Sequence, residues 1–329
     1  MTFSNPSRWI ACALLLVTGH AALADAPPGW LPVRDTNPFA LATGLPLTPA
    51  LPAPGAWQFD TTISVANTEL RQFRGDASLL FDAETHETRL SAIHAINARW
   101  SLRASISHLW IGAGFLDRPV ERFHSAFGFD NGDRGLLGTH APQVEVRRGD
   151  EVLYALDRGQ SGVGPLLLDL TRSWRSGTRG VTGISLGAKL PTGSRARLGD
   201  SGSSDVSFSA FALLPVGERL TVGARAGLLV QGDNRLLGDT ARDAVPFASA
   251  LLRYRFGQKW SAVLQSDAHG PLYRGLPEFL GTAGNQLNFG LIRHTGGAGE
   301  FQITLGEDLP ALRTSDIAIN LTLRLTAGG

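Results

Sequence analysis

Near the middle of the chain the sequence reads Arg219-Leu-Thr-Val-Gly-Ala-Arg-Ala-Gly-Leu-Leu-Val-Gln-Gly-Asp233, with an apolar residue at every second position from Leu220 to Val230. Successive side chains of a β-strand point to opposite faces, so this stretch has one face suited to lipid and one suited to water. A tilted transmembrane strand needs about 9–11 residues, and this stretch supplies that length without a charge on its apolar face. The same period recurs over most of the chain and predicts an all-β fold, a single transmembrane antiparallel up-and-down β-barrel.

Residues 1–24 have the features of a cleaved signal peptide. Arg8 precedes a short apolar run, and small residues lead up to Ala24. The run is too short to cross a bilayer as a helix, which takes about 20 apolar residues. We therefore expect cleavage after Ala24, export, and residence in the cell outer membrane. Cys12 is the one cysteine of the sequence and would leave with the signal, so no disulfide is expected.

The overall composition argues against several classes of protein. A formal net charge of +1 predicts no nucleic-acid partner. After the signal, no window approaches a helical membrane span of uninterrupted apolar residues. Glu84 and His86 form the only close acid–histidine pair on one strand face, and no cysteine remains beside them. We therefore expect no metal ion and no cofactor.

Proline divides the mature chain into two parts. Residues 25–56 contain many prolines, which break strands and helices, so we expect an extended periplasmic lead-in there. Residues 57–329 carry the alternating segments and form the predicted barrel.

The alternating segments predict about twelve strands, an even number that leaves both termini on the periplasmic side. A long external loop covers 112–163, and another external connection covers 68–78. Val144 to Leu156 resembles an additional hairpin, which leaves fourteen strands open as an alternative. The predicted strands cover 57–67, 79–96, 100–111, 164–174, 179–190, 205–214, 220–231, 245–256, 259–268, 286–294, 300–306 and 315–325.

One stretch of the long loop carries a resemblance to a known family. Gly114-Phe-Leu-Asp-Arg-Pro-Val-Glu-Arg-Phe-His-Ser-Ala-Phe-Gly128, continued by Asn131-Gly-Asp-Arg134, resembles a signature of uncharacterised Gram-negative proteins. Phe81-Asp-Ala-Glu84 and Asn37-Pro-Phe39 match the same family. The resemblance implies an outer-membrane barrel without an assigned function.

A second, shorter resemblance concerns Gly187-Ala-Lys-Leu-Pro-Thr-Gly193, which is similar to a strand-then-loop motif of barrels linked with aromatic-compound degradation operons. That resemblance implies a transport role. Many outer-membrane barrels end on an aromatic residue that the assembly machinery recognises, whereas Leu325 is followed here by Thr326-Ala-Gly-Gly329. The expected partners are the lipid bilayer and the outer-membrane assembly machinery, and the sequence leaves the oligomeric state open.

The long external loop is the first candidate functional element. Its apolar residues recur at helical spacing, which predicts one amphipathic helix. The helix could fold into the barrel mouth as a plug or gate, lie on the outer leaflet, or only pack against other loops. The candidate plug or gate residues are Phe115, Asp117, Glu121, Phe123, His124, Phe127, Asp133 and Arg134.

The second candidate is the set of polar residues that the alternation places on the water-facing side of the strands. Such residues could form a structural ion-pair lattice or a selectivity filter, and the sequence favours neither interpretation. The lumen-facing candidates are Asp60, Arg89, Arg103, Asp169, Lys189, Arg225 and Gln231.

Hydrolase chemistry has weak support in this sequence. His124 and Ser125 are adjacent, but two neighbours on a helix diverge, and a Gly-x-Ser-x-Gly motif is absent. We predict no catalytic residues and no enzyme activity. The favoured function is passive passage or binding of small solutes, hydrophobic ones among them. The alternatives are a non-channel barrel with a structural or envelope-interaction role and, third, an outer-membrane hydrolase.

Overall fold

The computed structural model describes residues 29–116, 142–175, 180–295, 299–309, 313–315 and 317–328. Within these residues the chain forms fifteen β-strands, the short helices α1 (Pro38–Leu41) and α2 (Glu278–Gly281), and a 3-10 turn at Arg195–Arg197. None of the helices described is long and apolar enough to span a membrane. The strands are β1 Trp57–Arg74, β2 Ala77–Ala95, β3 Trp100–Gly112, β4 Gln143–Arg148, β5 Glu151–Leu156, β6 Gln160–Val163, β7 Leu166–Arg175, β8 Val181–Leu190, β9 Asp205–Val216, β10 Leu220–Val230, β11 Ala244–Phe256, β12 Trp260–His269, β13 Gly284–His294, β14 Gly299–Asp308 and β15 Ile317–Ala327.

Strands β1 to β3 and β7 to β15 form a closed antiparallel ring. The first and last strands close it, since β1 pairs with β15 from Trp57 opposite Ala327 to Asn67 opposite Ile317. The prediction of a single barrel of twelve strands is thereby confirmed. The amphipathic helix predicted for the long loop falls in residues 117–141, which lie outside the described residues.

The other three strands lie beyond the ring, on its long-loop end. β4 and β5 form the hairpin predicted near residues 144–156, and β4 pairs with Ala77 to Asp82 of β2. The hairpin therefore extends the outer part of β2 without adding strands to the ring. β6 pairs with the outer end of β3, and Gly164-Pro165 separates it from β7. Proline has no N–H for the ladder, so the strand is interrupted there.

The connection between β1 and β2 is shorter than the sequence pattern predicts. The external connection expected at 68–78 consists mostly of paired strand, because β1 continues to Arg74 and β2 begins at Ala77. Only Gly75 and Asp76 form the turn, and Gly75 has the positive φ of +61° that glycine readily adopts. Polar residues occupy both faces in this outer part, so the alternation that marks a membrane strand is lost although the pairing continues.

Every strand of the ring presents at least one large apolar side chain on its outer face. A continuous apolar surface around a barrel suits hydrocarbon and is typical of transmembrane barrels. Each of the following exposes more than a third of its surface: Ile63, Leu90, Ile106, Leu170, Leu186, Phe208, Leu228, Leu252, Leu264, Phe289, Ile303 and Leu321.

Aromatic side chains gather at the end of the barrel where short turns join the strands, here called the short-turn end. Trp57 and Phe59 stack on the outer face, with ring centroids 5.9 Å apart. The guanidinium of Arg172 lies over both Trp100 and Trp174. Tryptophan beside a cation suits the boundary between hydrocarbon and water, and known barrels place their short turns on the periplasmic side.

An ion-pair cluster inside the ring joins the closing strands at the short-turn end. Arg324 on β15 donates from Nε to Asp60 Oδ1 on β1 at 2.9 Å, and from Nη1 to Glu300 Oε2 on β14 at 3.3 Å. Both carboxylates are mostly buried. The cluster therefore links three neighbouring strands across the seam where the ring closes.

We expect Asp60→Ala to lower the free energy of unfolding by roughly 2–3 kcal/mol. The substitution removes one of the two carboxylates that pair with the buried guanidinium of Arg324, and Glu300 remains as its second partner. Urea unfolding of the detergent-solubilised protein, followed by tryptophan fluorescence, measures the change. Thr61→Ala, which alters the neighbouring residue on the other face of β1, is the control. Equal stability of the two variants would show that the cluster does not support closure.

Candidate functional site

The lumen of the barrel is occupied by the chain that precedes β1. This inner segment, residues 29–56, is buried at almost every position from Trp30 to Pro52. The structure thus places it inside the barrel rather than in the extended periplasmic lead-in that its sequence predicts. Its prolines do prevent long helices and strands. However, its apolar side chains and its unpaired backbone groups both find partners inside the ring.

Apolar side chains anchor the inner segment in the half of the lumen near the short turns. Trp30, Leu31 and Leu51 are buried there. They form one cluster with apolar side chains that point inward from the wall. The wall residues of this cluster are Val181, Phe211, Leu213, Leu251, Val263 and Ile292.

Arginine side chains from the wall bind the backbone of the inner segment. Outside the short helix α1, the segment forms neither helix nor sheet, so its carbonyl oxygens lack regular backbone partners, and a guanidinium can donate to several of them at once. The donors are Arg89, Arg103, Arg175, Arg225 and Arg253, and the acceptors are the carbonyl oxygens of Gly29, Pro32, Pro46, Leu47, Thr48, Leu51 and Pro52.

Arg103 shows how one side chain fixes both the wall and the inner segment. On the wall, Nε and Nη2 of Arg103 on β3 donate to Asp169 Oδ2 on β7, at 3.0 and 2.9 Å. Towards the inner segment, Nη1 donates to Thr48 O at 2.7 Å and Nη2 donates to Leu47 O at 3.0 Å. The carboxylate thus orients the guanidinium that holds the segment.

The structure places the predicted lumen-facing residues on the inner face of the ring. Their side chains pair with other residues of the wall, with loop residues or with the inner segment, as they would in an ion-pair lattice. All seven are at most 6% exposed: Asp60, Arg89, Arg103, Asp169, Lys189, Arg225 and Gln231.

Lys189 orders the external connection between β8 and β9. Its Nζ donates to Asp200 Oδ1 at 2.9 Å, to Ser201 Oγ at 2.6 Å and to Ser203 O at 2.8 Å. The following strand begins with Asp205, whose Oδ2 accepts a hydrogen bond from Gly44 N at 2.8 Å. The connection is therefore tied to the inner segment at the long-loop end.

An aromatic cluster closes the lumen at that same end. Phe39 of α1 is fully buried and makes edge-to-face contacts with Phe81, Tyr154 and Tyr273, with ring centroids 5.9 to 6.4 Å apart. Burial raises the pKa of both tyrosines, so their phenols stay protonated. Tyr273 Oη then donates to Phe39 O at 3.3 Å. The Asn37-Pro-Phe39 motif and Phe81, both noted in the sequence, thus meet in one contact.

The start of the long loop lies on the outer face of the wall. Glu84 Oε2 accepts hydrogen bonds from Phe115 N and Leu116 N, at 2.9 and 2.7 Å. Glu84 Oε1 is 2.5 Å from His86 Nε2, and Phe115 is 65% exposed. Gly114 is required here, because it has a φ of +66° and a Cβ would lie 2.2 Å from the Glu84 side chain.

The remaining plug or gate candidates of the long loop fall outside the described residues, and so does the His124-Ser125 pair. They are Asp117, Glu121, Phe123, His124, Phe127, Asp133 and Arg134. Within the part of the chain that the structure does describe, no group of three or more histidine and acidic side chains is placed to hold a metal ion.

Two glycines that make room for the inner segment were missed among the candidate site residues. A Cβ on Gly223 would lie 3.1 Å from the ring of Trp30, and one on Gly290 would lie 3.1 Å from Leu31. Two features of the sequence indicate a segment inside the lumen. One is glycine at water-facing positions of strands, and the other is a run of large apolar residues inside a proline-rich segment.

The fold is shared with a known outer-membrane protein. The COG4313 outer membrane channel from Pseudomonas putida F1 aligns with a TM-score of 0.59 and 17% identity, over 84% of this chain and 97% of that one. The NanC porin aligns with a TM-score of 0.46 and 10% identity, over 82% and 99% of the two chains. The P. putida toluene transporter TodX aligns with a TM-score of 0.40 and 12% identity, over 90% and 93%. Only the first score is high enough to support an argument, and at this identity it establishes the fold alone.

Comparison at the level of sequence identifies a family. A family model described as "Protein of unknown function (DUF3187)" matches residues 9–326. No curated protein matches the chain.

We expect Arg103→Met to loosen the inner segment, because it removes the donors to two carbonyl oxygens. Thr48→Cys serves as a reporter, labelled with a water-soluble maleimide in detergent, and its labelling rate should rise roughly tenfold when Arg103 is replaced. Arg293→Met, which removes an outward-facing arginine over Trp260, is the control. An unchanged labelling rate would mean that Arg103 does not hold the segment.

Proposed function

This chain belongs to the DUF3187 family of proteins of unknown function, and we propose that it is an outer-membrane channel for small solutes. The inner segment is the constriction of this channel. The first of our two sequence resemblances is thereby confirmed at the level of the family.

The observation that carries the proposal is that a separate segment, rather than the side chains of the wall, occupies the centre of the lumen. Two stretches of that segment lie side by side, since Thr48 Oγ1 donates to Leu31 O at 2.8 Å. A lumen that holds two stretches of chain would pass small solutes wherever the segment leaves room.

The outer membrane is the location that best fits the barrel. Its apolar outer face requires lipid, and a cleaved signal peptide over residues 1–24 would export the chain. The fold is that of a protein described as an outer membrane channel. We propose the lipid bilayer and the assembly machinery as partners, and small solutes, hydrophobic ones among them, as cargo.

A non-channel role in the envelope is the second candidate, and the tight packing of the lumen favours it. Arg103, Arg225 and Gln231 all use their polar groups on protein partners, which is the behaviour of a structural lattice. Conductance after a single substitution separates the two functions, because a channel should open more often when its constriction is loosened, whereas a purely structural lumen should stay closed.

We expect deletion of residues 30–51 to raise the single-channel conductance in planar bilayers at least several-fold over the intact protein. Phe39→Ala, which removes the ring that closes the long-loop end, should raise the frequency of openings without deleting any chain. Phe59→Ala, on the outer face, is the matched control. No conductance from either inner-segment variant, with correct folding shown by circular dichroism, would favour the structural role.

A contribution of the long loop is a separate proposal. Phe115 and Leu116 are held on the outer face by Glu84, so a loop that gates the channel would have to reach over the rim from outside. We expect deletion of residues 117–134 to change the open probability while the conductance of the open state stays constant. A protein with unaltered gating after this deletion would limit the constriction to the inner segment.

A further inference from the structure

The inner segment is hydrogen-bonded to most strands of the ring, but not to all of them. Its hydrogen bonds to ring strands reach β2, β3, β7 and β9 to β13. The wall formed by β14, β15 and β1 is here called the seam. In the described part of the chain, no hydrogen bond joins the inner segment to the seam side chains Gln302, Thr304, Asn320, Thr322, Thr62 and Ser64.

The seam has a different chemistry from the rest of the inner wall. Gln302, Thr322 and Thr62 lie opposite one another on adjacent strands, and so do Thr304, Asn320 and Ser64. The next level towards the long loops consists of the small residues Gly306, Ala318 and Ala66. These three levels carry no charge, whereas the arginines that hold the inner segment lie on other strands.

Charged groups bound the seam at its two ends. Arg324, Glu300 and Asp60 form the cluster at the short-turn end. At the long-loop end, Asp308 Oδ2 accepts hydrogen bonds from Arg313 N and Thr314 N. The uncharged levels therefore lie between two charged ones, about midway along the barrel.

Several amide atoms along the seam are buried and have no hydrogen-bond partner among the residues that the structure describes. On the seam itself these atoms are Gln302 Oε1 and both Oδ1 and Nδ2 of Asn320. On the flanking strand β13 they are Gln286 Oε1 and Asn288 Oδ1. All four side chains are at most 1% exposed. A buried amide atom without a partner costs free energy, which a solute with hydroxyl or amide groups would recover by bonding to it.

We propose that solutes cross the barrel along the seam, between the inner segment and the wall of β14, β15 and β1, and that the solutes are small, uncharged and rich in hydroxyl or amide groups. The inference rests on the proposed channel function and narrows its solute class. The inner segment stays attached to the arginines of the facing wall and yields on its unbonded side. Asn320 and Gln302 are the residues that bind the passing solute.

The first experiment replaces the two seam amides by apolar side chains of similar size, as Gln302→Met with Asn320→Leu. Xylitol, a small uncharged polyol, is the probe, and its entry into proteoliposomes is followed by the swelling rate. We expect the rate to fall roughly tenfold, since two hydrogen-bonding groups are lost. The matched control is Thr171→Val with Ser185→Ala, which removes a hydrogen-bonded pair from β7 and β8 on the facing wall. Equal rates for the two variants would overturn the inference.

The second experiment fixes the inner segment to the wall opposite the seam. A Cβ on Gly187 of β8 would lie 3.7 Å from Pro46 Cβ, which is within the range of about 3.5–4.5 Å that a disulfide needs. Pro46→Cys and Gly187→Cys are combined with Ser207→Ala, because Ser207 Oγ would lie 2.4 Å from the new Cβ. β8 stands six strands away from β14 around the ring, so the crosslink leaves the seam free.

With the disulfide formed, we expect xylitol entry to stay within roughly twofold of the rate after reduction with dithiothreitol, because the path does not require the segment to leave. Loss of entry in the oxidised protein, restored by reduction, would show that the whole segment must move and would overturn the seam path while the channel function stands. The variant lacking residues 30–51 distinguishes a failure of the seam path from a failure of the channel function. If it admits neither ions nor xylitol, the channel function itself fails.

Discussion

The pairing of β1 with β15 is the contact on which the rest of the molecule depends. A backbone in hydrocarbon has no water to satisfy its polar groups, so an open sheet edge cannot persist there. Closing the ring removes the edge and at the same time fixes which side chains face lipid and which face the lumen. Asp60 and Arg324 belong to these closing strands and bond to each other inside the ring. The same pairing of strands therefore closes the ring and brings charged side chains together inside it.

The polar backbone groups inside the barrel must be hydrogen-bonded as well. The inner segment brings backbone carbonyls into a space without bulk water, and they must be paired. Arg103 and Arg225 supply donors for them from the wall, and Asp205 supplies an acceptor for Gly44 N. The charged residues of the lumen are therefore explained by the backbone groups of the inner segment to which they bind. This accounts for a charged interior in a chain whose formal net charge is only +1.

The alternation of apolar and polar residues is enough to predict the ring, its strand number and the inward side of each strand, because lipid imposes that pattern wherever a strand crosses it. The pattern weakens wherever lipid is absent. For that reason it predicts a loop at the outer parts of β1 and β2, and it does not predict β6, which the break at Pro165 sets apart. The inner segment was missed for a different reason. Proline predicts where regular structure ends, but it carries no information about whether an irregular segment lies in water or inside a barrel. Tertiary contacts such as that of Trp30 with Gly223 decide this.

The position of the inner segment ahead of β1 has a consequence for how the core of the barrel forms. The segment precedes every strand of the ring in the sequence, yet the strands that bind it are distributed from β2 to β13. Until those strands are in place, Trp30, Phe39 and Leu51 have no apolar surface to join. The pairing of β1 with β15 completes the wall around the segment. The inner segment is therefore a core that becomes fully buried only when the ring is complete.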